Sequence, residues 1–259
     1  METREKWDAS AQDYQKTFRL GQNDYNKAIF DFWLENGMLR PGYRVLDIGC
    51  GVGKYGVMFA SVGCDVTLTD ISPVMLAHAD ENLSAFDTPH RTYACDFNEA
   101  TGQEDVFCGG FDFSISTMSP AVHDIETVTR MSRMTDGFCF LTRFFSWHQP
   151  DRDALLLSLG LEPKAMMSGF KEDCAELIET IKAAGYAPTE IITNYNWQDE
   201  RSIDDMTDYM QRNYTDALNG TPPEKLRSVI EKLSENGVFT DRVNTEVAWI
   251  YWDARSKET

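Results

Sequence analysis

The chain has 259 residues, 42% of them hydrophobic, with 42 acidic against 24 basic side chains and a formal net charge of −18. That length supports one full core with a smaller appended element, and that charge puts a nucleic-acid backbone at a disadvantage as partner and favours small-molecule chemistry. The opening METREKWDAS is charged and has no apolar run, no segment approaches the length of a membrane span, and the six cysteines (Cys50, Cys64, Cys95, Cys108, Cys139, Cys174) form no C-x-x-C pair. The expectation is a cytoplasmic protein with reduced thiols and no metal, binding neither nucleic acid nor membrane, as a monomer or homodimer.

Two helices lead the chain. Trp7, Ala11, Tyr14 and Phe18 fall at helical spacing, as do Tyr25, Ala28, Ile29, Phe32 and Trp33, with Gly37 as a stop. Strands and helices then alternate. YRVLDIG reads as a buried strand followed by a helix after Gly53, and CDVTLTD as a second strand. Ser72-Pro73 supplies an N-cap and an N1 proline for the helix PVMLAHADENL. RTYACDF, FDFSIS and GFCFLTRFF are the next strands, with the helix DIETVTRMSRM between the last two. The helix EDCAELIETIKAAGY, the strand APTEIITNYNW, a helical stretch from Asp199 to Asp241 and a final strand within Val243–Ala254 complete the chain. In the helical stretch, Thr221 is the expected N-cap of TPPEKLRSVIEKLSENG, with Pro222 at N1. Such alternation builds a doubly wound parallel sheet.

The segment VLDIGCGVGKYG contains two overlapping glycine spacings, Gly49-x-Gly51-x-Gly53 and Gly51-x-Gly53-x-x-Gly56. A glycine turn between a first strand and a helix lets the backbone approach a nucleotide-type ligand and presents helix N–H groups to it. It is not a P-loop, because Tyr55 follows Lys54 where a magnesium-binding hydroxyl would stand. Asp47 sits at the end of the strand and faces the same place. A carboxylate there repels a pyrophosphate and attracts a ligand carrying an ammonium and a sulfonium. Asp70, ending the second strand, suits ribose hydroxyls of either ligand. Asp96-Phe97, after the third, offers an acceptor and an aromatic ring for a base.

With these markers in register the sequence resembles the class I S-adenosylmethionine-dependent methyltransferases, of the small-molecule type. VLDIGCGVG looks like the first motif of that family, VTLTDISPVML the second and ACDFNEA the third, and the likeness runs from about Tyr43 to Phe145. The resemblance implies a Rossmann-like sheet of seven mostly parallel strands with an antiparallel last strand. It also implies S-adenosylmethionine as cofactor, in-line methyl transfer to a small molecule, and cofactor contacts at Tyr14, Asp47, Gly49, Gly51, Gly53, Asp70, Ile71, Asp96, Phe97 and Ser116. A nicotinamide-dependent dehydrogenase and an inactive methyltransferase-like binding module are the alternatives. The tetrapeptide Met118-Ser119-Pro120-Ala121 departs from the N-P-P-Y pattern of the nucleic-acid adenine enzymes.

Methyl transfer from a sulfonium needs alignment and exclusion of water more than a fixed catalytic group. Candidates on the acceptor side are His123 as a base, Arg143 as a fork for an acceptor carboxylate, and His148. The plainer alternatives are that Asp124 caps a helix beside a packed His123, and that Arg143 is structural. The expected organisation is an N-terminal helical cap over 1–40, a cofactor-binding core over 41–198, a helical lid over 199–241 and the last core strand over 242–259. In the lid, Ile203, Met206, Tyr209, Met210 and Tyr214 suit an adaptable apolar wall.

Overall fold

A computed structural model describes residues 4–18, 24–99, 108–163 and 169–257; Ala100, the end of the third motif, lies outside them. The chain opens with α1 (Arg4–Thr17) and α2 (Asp24–Glu35), followed by β1 (Arg44–Ile48), α3 (Lys54–Ser61), β2 (Asp65–Asp70), α4 (Pro73–Leu83) and β3 (His90–Ala94). Next come β4 (Phe111–Thr117), α5 (Ile125–Arg133), β5 (Thr135–His148), α6 (Pro150–Ser158) and α7 (Phe170–Ala183). The remainder is β6 (Thr189–Asn194), β7 (Trp197–Ser202), α8 (Ile203–Asn213), α9 (Thr215–Leu218), α10 (Pro223–Leu233) and β8 (Val238–Asp253). No helix among the described residues is long and apolar enough to cross a membrane.

The sheet has eight strands in the order β3-β2-β1-β4-β5-β8-β6, with β7 pairing β8. β1 to β5 run parallel, and the C-terminal strands are antiparallel. One strand more is present than the sequence pattern predicts. APTEIITNYNW breaks into β6 and β7 because Asn196 interrupts the ladder: its side-chain oxygen accepts from the Thr245 N–H at 2.9 Å, where a backbone carbonyl would serve. The expected helical stretch is also shorter at both ends. Residues 199–202 and 238–241 are paired strand, with Asp199 opposite Asp241. α6 arises where the periodicity predicts no element. α10 starts one residue later than expected, with Pro222 as N-cap, and the Thr221 hydroxyl bonds the Leu218 carbonyl at 2.5 Å instead.

Two compact units divide the chain. The first holds Met1–Arg143, Asp173–Ile191 and Ala248–Thr259, and the second Phe144–Glu172 and Ile192–Val247. In the first unit, α2 is a core element. Trp33 is fully buried, with ring centroids 5.3 Å from Phe113 and Phe140, 5.5 Å from Tyr55 and 5.6 Å from Phe59. One side chain thereby joins α2 and α3 to β4 and β5. α1 is tied differently. Ala11 packs with Val52 and Met75, flanked by Trp7 and Phe18, and Gln15 exchanges two 3.0 Å amide hydrogen bonds with Asn82 of α4.

The second unit has its own core. Leu155, Leu156 and Leu159 from the α6 region pack with Met206 and Met210 of α8, with Leu226, Val229 and Ile230 of α10, and with Phe239. The methionines expected to form an adaptable wall are therefore fully buried within this unit, and the apolar stripe of α10 covers this core. At its centre is a buried ion pair. Arg152 donates from Nε and Nη2 to Asp241 (2.6–3.1 Å) and from Nη1 to the Tyr209 and Tyr214 hydroxyls at 3.0 and 2.7 Å. Removing one partner of a buried pair strands the other charge, at about 3–5 kcal/mol. Asp241→Ala is expected to lower stability by about that amount, read as a drop in the urea midpoint of the second unit's transition. The double replacement Arg152→Met, Asp241→Leu is expected to recover most of it. Equal midpoints for wild type and Asp241→Ala would contradict the assignment.

Candidate active site

Strand order reverses between β1 and β4, because β1 continues to β2 on one side and β4 to β5 on the other. In an open α/β sheet such a reversal leaves a crevice beyond the carboxyl ends of the strands. The register places those ends together: Asp47 is opposite Leu68 and Ile115, Asp70 opposite Ala94, and Thr117 opposite Thr142.

The glycine turn crosses this crevice, and its glycines do different work. Gly49, Gly51 and Gly53 all have positive φ, at 71°, 55° and 79°. At Gly49 a Cβ would fall 1.9 Å from the Ser119 Oγ, so the missing side chain admits the loop after β4. At Gly53 it would meet the Ala79 Cβ at 2.9 Å, and at Gly56 a Leu68 methyl at 2.9 Å; these two glycines let α3 pack closely on α4 and β2. Gly51 alone of the four has nothing among the described residues within 4 Å of its Cβ position. The two overlapping spacings thus separate into packing and access.

Two carboxylates end adjacent strands here. Asp70 accepts the Gly51 N–H at 2.9 Å on Oδ2 and the Ser72 N–H at 2.8 Å on Oδ1. Burial raises its pKa, and those two N–H groups offset part of the rise. Each oxygen keeps acceptor capacity, enough for a pair of hydroxyls. Asp47 is buried, and neither of its oxygens has a hydrogen-bond partner among the described residues. Burial first, and the Asp70 charge second, push its pKa up to about 8. A fully buried carboxyl without a donor is costly in either form and more so when charged. A cationic donor arriving in the crevice would satisfy it.

Other expected contacts are placed variously. Asp96 Oδ1 accepts the N–H and side-chain amide of Asn98 at 2.9 and 3.0 Å. Phe97 is buried, and its ring carries the Arg130 guanidinium at 5.6 Å. Ser116 is buried and donates its hydroxyl to the Ile48 carbonyl at 3.0 Å, tying β4 to β1. Ile71 is partly exposed beside Asp70. Tyr14 is exposed on α1, edge-on to Trp7 at 6.1 Å.

Several positioning residues escape the motif reading. Asn82 donates to the Val52 carbonyl of the glycine turn at 2.9 Å while paired with Gln15, so α1, α4 and the turn share one amide network. The signal was present: Asn82 lies one helical step from Ala79, and Gln15 interrupts the apolar face of Ala11 and Phe18. Ser72 caps α4 through Met75 N and also donates to Asp8 of α1 at 2.6 Å. Lys54, the first residue of α3, is partly buried with its pKa lowered by desolvation, and has no ion-pair partner among the described residues.

On the acceptor side the Arg143 guanidinium reaches the backbone beside His123, whose own side chain is exposed. The Arg143 Nη2 donates to the Val122 carbonyl at 2.6 Å, one residue before His123. His123 Nδ1 lies 3.0 Å from the Pro120 carbonyl, which can only accept. A ring that donates from Nδ1 to that carbonyl leaves Nε2 as its other nitrogen, 3.7 Å from an Asp124 carboxylate oxygen. Asp124 caps α5 in a reciprocal box with Thr127, as the plainer reading expected. His148 belongs to the other unit, where its Nε2 is 3.2 Å from an Asp153 carboxylate oxygen.

Comparison with known proteins follows the same ground. A family described as "Methyltransferase domain" matches residues 45–136. A Bacillus subtilis (strain 168) protein, YqeM, whose name makes it provisionally a methyltransferase, is 35% identical over 80 residues, 31% of this chain and 30% of its own length. The uncharacterized methyltransferase sll0829 of Synechocystis (strain PCC 6803) is 34% identical over 92 residues, 36% of this chain and 39% of its own. The match thus spans about a third of the length of either relative. Among solved structures, the phosphoethanolamine N-methyltransferase 2 of Haemonchus contortus, with phosphomonomethylethanolamine and S-adenosylhomocysteine bound, shares the fold at a TM-score of 0.53 and 15% identity, covering 100% of this chain and 61% of that one. Motif, topology and family match converge on one stretch: residues 45–136 are a methyltransferase domain of the class I, S-adenosylmethionine-dependent type.

Proposed function

We propose that the chain transfers a methyl group from S-adenosylmethionine to a small-molecule acceptor. The observation that carries this reading is Asp47, a buried carboxyl with both oxygens unpartnered, next to the one glycine of the turn that faces open space. A ligand with an ammonium group suits that pair, and a dinucleotide pyrophosphate does not. The residues fit the cofactor: Asp47 would take the ammonium, Asp70 the ribose hydroxyls, and the space over Gly51 the approach of the ligand to the backbone. When bound, S-adenosylmethionine supplies a methyl already activated by the sulfonium charge. The chain's part is to align the acceptor and exclude water. His123, whose Nδ1 faces the Pro120 carbonyl and whose Nε2 lies 3.7 Å from Asp124, is the candidate to accept a proton from an acceptor that must lose one. The acidic surface of the chain, at −18, suits a small acceptor better than a nucleic acid.

The raised pKa of Asp47 ties binding to pH. The folded protein holds this proton up to about pH 8, whereas the unfolded chain releases it near the ordinary value of 3.8. The associated stability is full below the unfolded value and is lost as pH rises through about 8. A cationic ligand acts in the opposite sense, because it favours the ionised form. Affinity for S-adenosylmethionine is expected to rise between pH 6 and about 8, by up to ~10-fold per unit, and then level off. Asp47→Asn is expected to bind more weakly, with a flat profile. Calorimetric titration across this range checks it, and a wild-type affinity independent of pH would contradict the role of Asp47.

Gly51→Val is expected to abolish cofactor binding while costing the fold only about 1–2 kcal/mol of backbone strain. Gly63→Val is the control, since Gly63 also has positive φ and an open Cβ position, at the far end of α3. It should lose similar stability and keep its affinity. A folded Gly51→Val protein with the wild-type Kd would place the ligand elsewhere.

A further inference from the structure

We infer that the methyl acceptor carries a carboxylate and that Arg143 receives it; this rests on the methyltransferase reading above. Arg143 lies on β5, one residue beyond Thr142, which ends the register with β4. It is partly buried, and its guanidinium lies deep enough that burial lowers its pKa to about 10. Two of its N–H groups are used: Nη1 donates to the Thr142 carbonyl at 2.8 Å and Nη2 to the Val122 carbonyl at 2.6 Å. Of the five donors of a guanidinium, Nε and one hydrogen on each Nη have no partner among the described residues. No carboxylate among the described residues pairs with it either, and its electrostatic neighbour is the Cys174 thiol of α7.

Acidic side chains outnumber basic ones 42 to 24 in this chain. Arg91, Arg130, Arg152, Arg242 and Arg255 each have a carboxylate partner. Arg152, the most deeply buried of these, is neutralised by Asp241. A desolvated guanidinium held only by carbonyl groups keeps its full positive charge and its fork.

Its position connects it to the crevice. Val122 belongs to the loop after β4, and the same loop sends Ser119 into the space over Gly49. The loop begins at Met118, a non-glycine residue at φ 49° whose N–H is held by the Thr142 hydroxyl at 3.0 Å and carbonyl at 3.2 Å. β5 thus fixes the loop at both Met118 and Val122, and holds Arg143 at the same carboxyl-terminal edge as Asp47 and Asp70. One uncompensated charge with a planar fork matches a planar monoanion, a carboxylate, better than a phosphate dianion. Arg143 is then a specificity-determining residue that orients the acceptor.

The test uses benzoate, benzamide and phenyl phosphate as probes, titrated by ligand-observed NMR with and without S-adenosylhomocysteine. S-adenosylhomocysteine affinity is measured separately by calorimetry, so that loss of cofactor binding is told apart from loss of acceptor recognition. The wild-type protein is expected to bind benzoate at least ~10-fold tighter than benzamide and tighter than phenyl phosphate. Arg143→Gln should erase the preference for benzoate over benzamide and leave the S-adenosylhomocysteine Kd unchanged. If Arg143→Gln fails to fold, Arg143→Lys, which keeps the charge and loses the fork, should narrow the preference. Equal binding of benzoate and benzamide by the wild type, no benzoate binding, tighter phenyl phosphate, or a benzoate preference that survives in either variant would overturn the inference.

Discussion

The arrangement at the active edge depends on two carboxylates at the ends of neighbouring strands, only one of which the protein itself satisfies. Asp70 is held by the N–H groups of Gly51 and Ser72, whereas Asp47 is buried with no donor among the described residues. Burial raises the pKa of both, and the Asp70 charge adds to the rise at Asp47. The fold therefore stores an unfavourable contact that a cationic ligand can relieve. Such frustration is expected where binding has to be selective, because a competing anion would add to the repulsion instead of removing it.

The surroundings hold this arrangement in place. Asp70 fixes the glycine turn through Gly51 N, and Asn82 fixes it again through the Val52 carbonyl. Gly53 and Gly56 permit α3 to sit close enough for the turn to reach across the strand ends. α1 is latched to the same helix that carries Asn82, through Gln15 and through Asp8 with Ser72. The second unit draws its stability from a different source, a buried Arg152–Asp241 pair inside a closed apolar core. There Asp241 is met by the Arg152 guanidinium, in contrast to Asp47.

Much of this was legible in the sequence because it is local. β1 to β5 and their helices follow from buried apolar runs alternating with amphipathic ones, and the Asp47, Gly51 and Asp70 markers sit at strand ends that those runs define. The less legible parts depend on tertiary partners. The break between β6 and β7 comes from one asparagine substituting for a backbone acceptor, which periodicity does not register. The strand ends of the 199–241 segment are set by pairing across the chain, and its Met and Tyr residues read equally well as a wall or as a core. Gly49 looks like its neighbours in the motif, yet only the position of Ser119 shows that it makes room for protein. Residue type alone likewise does not foretell that Phe97 lies under Arg130 or that Ser116 bonds the Ile48 carbonyl.

Asp47 is expected to be a neutral carboxyl in the free protein and to become a carboxylate when the cofactor's ammonium arrives. Infrared difference spectroscopy near pH 7, with and without S-adenosylmethionine, reads this directly. The account predicts the loss of one protonated-carboxyl band on binding, a change absent from Asp47→Asn. Binding that leaves the carboxyl region unchanged, or that gives the same loss in Asp47→Asn, would contradict it.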